Sequence, residues 1–180
     1  MKVKVLLLAA AAAVGMTGMA SAATIWASAI TDASKANAPG SARGDYASAL
    51  GATDGSFYSL GLGGYAVFTF GAEFRAPASV VEITFGNRNN HKESVDVYGS
   101  ADGVSFTYLT SVPNLSKDNT FTFAGSYNFL KLQDTSEVVA GRDGFDVDSI
   151  SVTPVPLPAA GLLLAGGMGL LGARKLRRKG

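Results

Sequence analysis

Between residues 65 and 152, apolar and polar positions alternate with a period of two rather than 3.6. That period puts successive side chains on opposite faces of a strand. Residues 65–70 read as a buried strand. Residues 80–85 place Val81, Ile83 and Phe85 on one face, with Glu82 and Thr84 on the other. Val95 and Val97 alternate with Ser94, Asp96 and Tyr98, and residues 106–110 form a further short strand. Phe121 and Phe123 alternate with Thr120 and Thr122, and Leu130 and Leu132 with Lys131 and Gln133. Phe145 and Val147 open a last strand that continues to Ile150 and Val152. The parity flips between Val147 and Ile150, as a β-bulge near Asp148–Ser149 requires. Clusters of Gly, Asn, Asp and Pro at 61–64, 75–77, 86–90, 102–103, 113–119 and 141–144 separate the runs. No helical stretch of two turns stands out. Six to nine short strands at this spacing predict an all-β fold, an antiparallel β-sandwich or jelly roll.

Both ends of the chain break the pattern. Lys2 and Lys4 precede an apolar run over 5–14, and Ala20-Ser21-Ala22 supplies a small-x-small cleavage signature. Residues 1–22 read as a secretory signal peptide whose removal leaves Ala23 first. At the other end, Pro154, Val155, Pro156, Leu157 and Pro158 precede an uncharged stretch over 159–173. A transmembrane helix over about 157–173 is at the short limit of a span, which needs roughly 17–25 residues. Within it Gly161, Ala165, Gly169 and Ala173 recur every four residues. That spacing suits close helix docking, and it also arises by chance in a Gly/Ala-rich span. Arg174, Lys175, Arg177, Arg178 and Lys179 follow, and such a basic stop stays cytoplasmic. The expected organisation is a signal peptide at 1–22, one β-sandwich domain at 23–153 and a tail at 154–180.

Composition then narrows the chemistry. The chain has 180 residues, no Cys, one His and a formal net charge of +1. Without Cys there is no disulfide framework, thiolate metal site or cysteine nucleophile. A single His excludes sites that need two imidazoles. The charge is unevenly divided: +2 in the leader, +5 in the tail, and −6 in the body, where all 14 acidic residues lie. An acidic body disfavours nucleic acid and suits neutral polysaccharides or divalent cations.

Asp143, Asp146 and Asp148, with Asp134 and Glu137 upstream, form the densest carboxylate cluster. Hard oxygens at alternate strand positions suit a structural Ca²⁺; solvated turn carboxylates and backbone capping are the alternatives. No other cofactor is implied. Asn87, Arg88, Asn89 and Asn90 offer amides and a guanidinium suited to sugar hydroxyls. His91 in the same loop is either a ligand-contacting or a plain surface histidine. Trp26, Tyr46, Tyr58 and Tyr108 are candidate stacking platforms, and Trp26 suits a core plug equally well. Residues 61–66 fit a loose G-x-G-x-x-A pattern, but a strand follows where a dinucleotide site needs a helix. No carboxylate pair sits in a glycosidase motif and no G-x-S-x-G is present, so no catalytic residues are expected.

Two resemblances follow. The order Val155-Pro156-Leu157-Pro158, Gly/Leu-rich helix and Arg-rich tail resembles the PEP-CTERM sorting signal of Gram-negative bacteria, with Leu157 where the name-giving motif has Glu. That resemblance implies recognition by an exosortase, a membrane transpeptidase-like enzyme. It also implies an inner-membrane-anchored precursor released or re-anchored at the cell surface. In the body, residues 54–64, 97–106 and 144–150 together look like the jelly-roll, galactose-binding-like (discoidin-type) modules of bacterial surface proteins. Many of these bind glycans with loops at one end, often beside a structural calcium. The expected protein is exported and non-enzymatic, and it binds or organises exopolysaccharide. A ligand-free matrix protein and a secreted glycan hydrolase are the competing readings. Mass spectrometry of the exported protein is expected to find Ala23 first and a C-terminus short of Gly180; an intact Gly180 end would refute processing.

Overall fold

The computed structural model describes residues 23–34, 43–139 and 142–156. The signal-peptide residues up to Ala22 lie outside these, as do Leu157, Pro158 and the expected membrane span and basic tail. Among the described residues no helix is long and apolar enough to cross a membrane.

The described chain is all antiparallel β. Its strands are β1 (Ile25–Trp26), β2 (Ala29–Ala33), β3 (Tyr58–Ser59), β4 (Tyr65–Glu82), β5 (Ser94–Ser100), β6 (Thr107–Pro113), β7 (Asp118–Phe121), β8 (Ser126–Asp134) and β9 (Asp146–Pro154). A 3₁₀ turn at Tyr46–Ala49 lies between β2 and β3, with Asp45 accepting from the Ala47 amide at its start.

β4 organises the sandwich. Its first part pairs with β2 on one edge and β8 on the other. Its last part pairs with β9 and β7. One layer therefore runs β2, β4, β8, β5, β6, and the other runs β7, β4, β9, with β1 and β3 on the far edge of β9. The change of partners falls where Gly71 takes φ +72° and the register shifts between Thr69 and Phe74. The Ala76–Pro77 peptide is cis, at a second shift between Arg75 and Ala78. Phe68, Phe74, Val80, Val95, Val97, Leu130, Leu132, Ile150 and Val152 fill the space between the layers.

Most expected strands are present, and the register shift that skips Asp148 on β9 is the expected bulge. β1, β2 and β3 are too short or too polar to show in the alternation. The reading of residues 80–85 is corrected. β4 ends at Glu82; Glu82 is fully buried while Phe85 is 53% exposed. Val80 and Glu82 turn inward together because a polar pocket at the strand end accepts the carboxylate. Phe85 packs edge-on to Phe57 and under the Arg43 guanidinium instead. Tyr58 is likewise corrected: it is a core residue, buried and packed edge-on against Tyr46.

The glycine run at 61–64 is a tight turn that feeds β4. Gly61 and Gly63 take positive φ, and the Gly64 amide donates to the Gly61 carbonyl. A Cβ at Gly64 would sit 1.9 Å from the Leu60 carbonyl oxygen, a backbone atom that cannot step aside. Gly64→Ala is expected to destabilise the fold by about 3 kcal/mol, the upper range for inserted atoms without room. Denaturant unfolding checks this, and an unchanged midpoint would contradict the turn geometry.

Candidate functional site

At one end of the sandwich the β4–β5 loop meets the segment that leads into β9. Of the two clusters picked out separately in the sequence, Asn87–Asn90 and the Asp143–Asp148 carboxylates, the structure brings Asp143 to the end of the loop beside His91 and Glu93. Arg142 joins them: its guanidinium donates to the Lys92 carbonyl at 3.1 Å and to the Asn90 carbonyl. The loop is wound on Asn87, whose side-chain oxygen accepts from the Asn89 amide at 2.9 Å. The Asn87 carbonyl takes the Asn90 and His91 amides. Asn87, Asn89 and Asn90 are exposed. Arg88 turns inward instead and pairs with Glu82 at 3.5 Å.

Behind the loop lies a polar pocket that sequence reasoning missed. Glu82 accepts from the Thr84 hydroxyl at 2.7 Å. Asn114 receives the Glu93 amide on its side-chain oxygen and donates to Thr84 and to the His91 carbonyl. His91 Nε2 lies 2.8 Å from Glu93 Oε1. Asp143 is paired with Arg43, which also stacks over the Phe57 and Phe85 rings. A cleft of about 280 Å³ lined by Lys92, Glu93, Asn114 and Glu137 opens beside Glu93. Glu82 and Glu93 carry no signal in the sequence, because a lone Glu flanking a strand reads as solvent-facing.

The five acidic residues buried here fall into two kinds. Asp134 and Asp148 are fully engaged. Asp134 accepts from the Gly63 and Phe145 amides and the Ser136 hydroxyl. Asp148 accepts from the Asp54 and Gly55 amides, each at 3.1 Å. Glu82, Glu93 and Asp146 are not compensated to that degree. Burial raises the pKa of Glu82. Burial, with the charges of Asp146 and Glu82 nearby, pushes Glu93 up to about 9. Burial pushes Asp146 up to about 7, although a Ser59 hydrogen bond and the Arg43 charge pull it down. Glu82 and Glu93 act on each other: Glu82 raises the pKa of Glu93, and Glu93 lowers that of Glu82. His91 is held below its usual value by burial and by Arg142, so it is neutral at pH 7.

A structural calcium needs six to eight oxygens in one set. Of the three expected carboxylates, Asp148 accepts two backbone amides, Asp143 pairs with Arg43 and Asp146 is buried. Of the other candidates, Trp26 is exposed and lines a shallow groove with Ile25, Leu50 and Phe70. Tyr108 is exposed on β6, edge-on to Tyr98. Ala23 and Pro156 are exposed at the two ends of the described chain, and the Val155 amide donates to the Glu73 carbonyl.

No protein-family model and no curated protein matches this sequence. Solved structures do match the fold. A truncated AlyQ with CBM32 and alginate lyase domains superposes with TM-score 0.51 at 12% identity, over 76% of this chain and 35% of that one. The likeness shows a shared fold. The chain spans about a third of that AlyQ chain. The C-terminal domain of a chitobiase from Bacteroides fragilis gives TM-score 0.49 at 15% identity, over 72% of this chain and 94% of that domain. A pectin-binding carbohydrate-binding module gives 0.43 at 14%, over 59% and 80%.

The raised carboxyls have a measurable consequence. From pH 4 to 7 the unfolded chain releases a proton that folded Asp146 keeps, its pKa moving from 3.8 to about 7. The folded state then binds more protons, so stability falls as pH rises. Glu93, moved from 4.5 to about 9, extends the fall. In chelator the denaturation midpoint is expected to be lower at pH 8 than at pH 5. Asp146→Asn is expected to flatten the slope, and a midpoint that rises with pH would contradict this electrostatic picture.

Proposed function

We propose that this chain is an exported, non-enzymatic surface protein whose β-sandwich binds or organises a neutral exopolysaccharide. The observation that carries the reading is the end loop 87–90. Three exposed asparagines are presented there on a backbone pinned by Arg142. Amides fixed in advance satisfy sugar hydroxyls with little ordering cost. The shared fold with a chain that carries a CBM32 domain supports the same role. The net charge of −6 in the body favours neutral chains over polyuronates.

Export and sorting rest on the sequence. The signal peptide at 1–22 delivers the body across the cytoplasmic membrane. The motif Val155-Pro156-Leu157-Pro158, the apolar span and the basic tail hold a precursor there for an exosortase-like enzyme, which passes it to the cell surface or matrix.

A glycan array probed with the full chain in detergent is the test. Retention on neutral polysaccharide is expected. Asn89→Ala with Asn90→Ala is expected to weaken it about tenfold, the worth of one or two hydrogen bonds. No retention on any glycan would favour a ligand-free matrix protein, and release of shortened glycan would reveal a hydrolase. Either result overturns the reading.

A further inference from the structure

We propose that His91, Glu93 and Asp143 bind a divalent transition-metal ion of the Zn²⁺ or Mn²⁺ class. The ion would clamp the β4–β5 loop to the segment that enters β9.

The three residues come from separate places: the loop, the start of β5 and the segment before β9. One imidazole nitrogen and two carboxylate oxygens nevertheless lie within 4.8 Å of one another. Tetrahedral donors on a common ion with bonds of 2.0–2.2 Å lie about 3.3–3.6 Å apart. The set closes with side-chain movements of up to about an ångström.

A second observation points to a missing cation. Asp146 is 2% exposed, and its Oδ1 has no hydrogen-bond partner. Its charge acts directly on Glu93. A buried, unpartnered carboxylate oxygen is costly and calls for a partner. The neighbouring guanidiniums are engaged elsewhere: Arg43 on Asp143, Arg88 on Glu82, and Arg142 on two backbone carbonyls. Asp146 Oδ1 is thus left without a hydrogen-bond partner among the described residues.

The donor set selects the ion. Ca²⁺ and Mg²⁺ take oxygen, whereas imidazole with carboxylate suits Zn²⁺ and Mn²⁺. The supporting contacts are those a metal site needs. Arg43 orients Asp143, and the Asn114 side chain holds the Glu93 backbone. The cleft beside Glu93 provides an entry path. The clamp is independent of whether loop 87–90 touches glycan.

The test uses the tag-free full chain, stripped with EDTA and dialysed against Zn²⁺, Mn²⁺ or Ca²⁺. Bound metal is counted by elemental mass spectrometry and melting is followed in parallel. One Zn²⁺ or Mn²⁺ per chain is expected, with a higher melting temperature than in EDTA. Asp143→Asn is expected to weaken binding at least about tenfold. Because that change also removes the Arg43 partner, His91→Ala is the second variant. His91 is partly exposed and its loss leaves the core untouched, so the variant is expected to fold and to lose Zn²⁺ affinity by a similar factor. Three results overturn the proposal: no stoichiometric metal with any ion, Ca²⁺ alone bound with His91→Ala unaffected, or Zn²⁺ and Mn²⁺ binding unchanged in His91→Ala.

Discussion

One strand of eighteen residues, bent near its middle, sets the shape of everything around it. β4 belongs to both layers of the sandwich and takes different neighbours along each half. Its side chains must therefore satisfy two environments in turn. Val67, Phe68 and Phe70 are buried before the bend, and Ala78, Val80 and Val81 after it. Gly71 supplies the positive φ that the change of direction needs. The strand ends at Glu82, which brings a carboxylate to the sandwich end.

That end is where the fold concentrates its electrostatic cost. Buried carboxylates persist only when they are hydrogen-bonded, paired or protonated. Asp134 and Asp148 take the first route, and through backbone amides each ties a distant loop to its strand. Their role is architectural. Glu93 and Asp146 take the last route, since burial holds them protonated well above the ordinary carboxylate range. The same groups carry the loop that presents Asn87, Asn89 and Asn90, so loop order and cluster charge are linked through His91 and Arg142.

Much of the architecture is legible in the alternation of residues. Val95, Val97, Leu130 and Leu132 are all fully buried, as a period of two demands. The parity flip at Asp148 corresponds to a real register shift. What alternation does not carry is which polar residues follow the apolar ones inward. Glu82 sits in step with Val80 and is buried with it, yet its identity suggests solvent. Tyr58 reads as a platform in sequence because aromatic rings serve cores and surfaces alike. Asp143, Asp146 and Asp148 are close in sequence, but the bulge at Asp148 sends its carboxylate to the amides of Asp54 and Gly55. Joining the 87–90 loop to Asp143 requires residues some fifty positions apart, and only the sheet pairing of β4 with β9 places their elements side by side.

The decisive experiment is an NMR titration of the amide-labelled full chain with a neutral polysaccharide fragment. If the sandwich end is the contact surface, shifts will concentrate at Asn87, Asn89, Asn90 and Arg142 and leave the β5–β6 face at Tyr98 and Tyr108 unmoved. Shifts centred on that aromatic face or on Trp26, or no shifts at saturating fragment, would contradict the account.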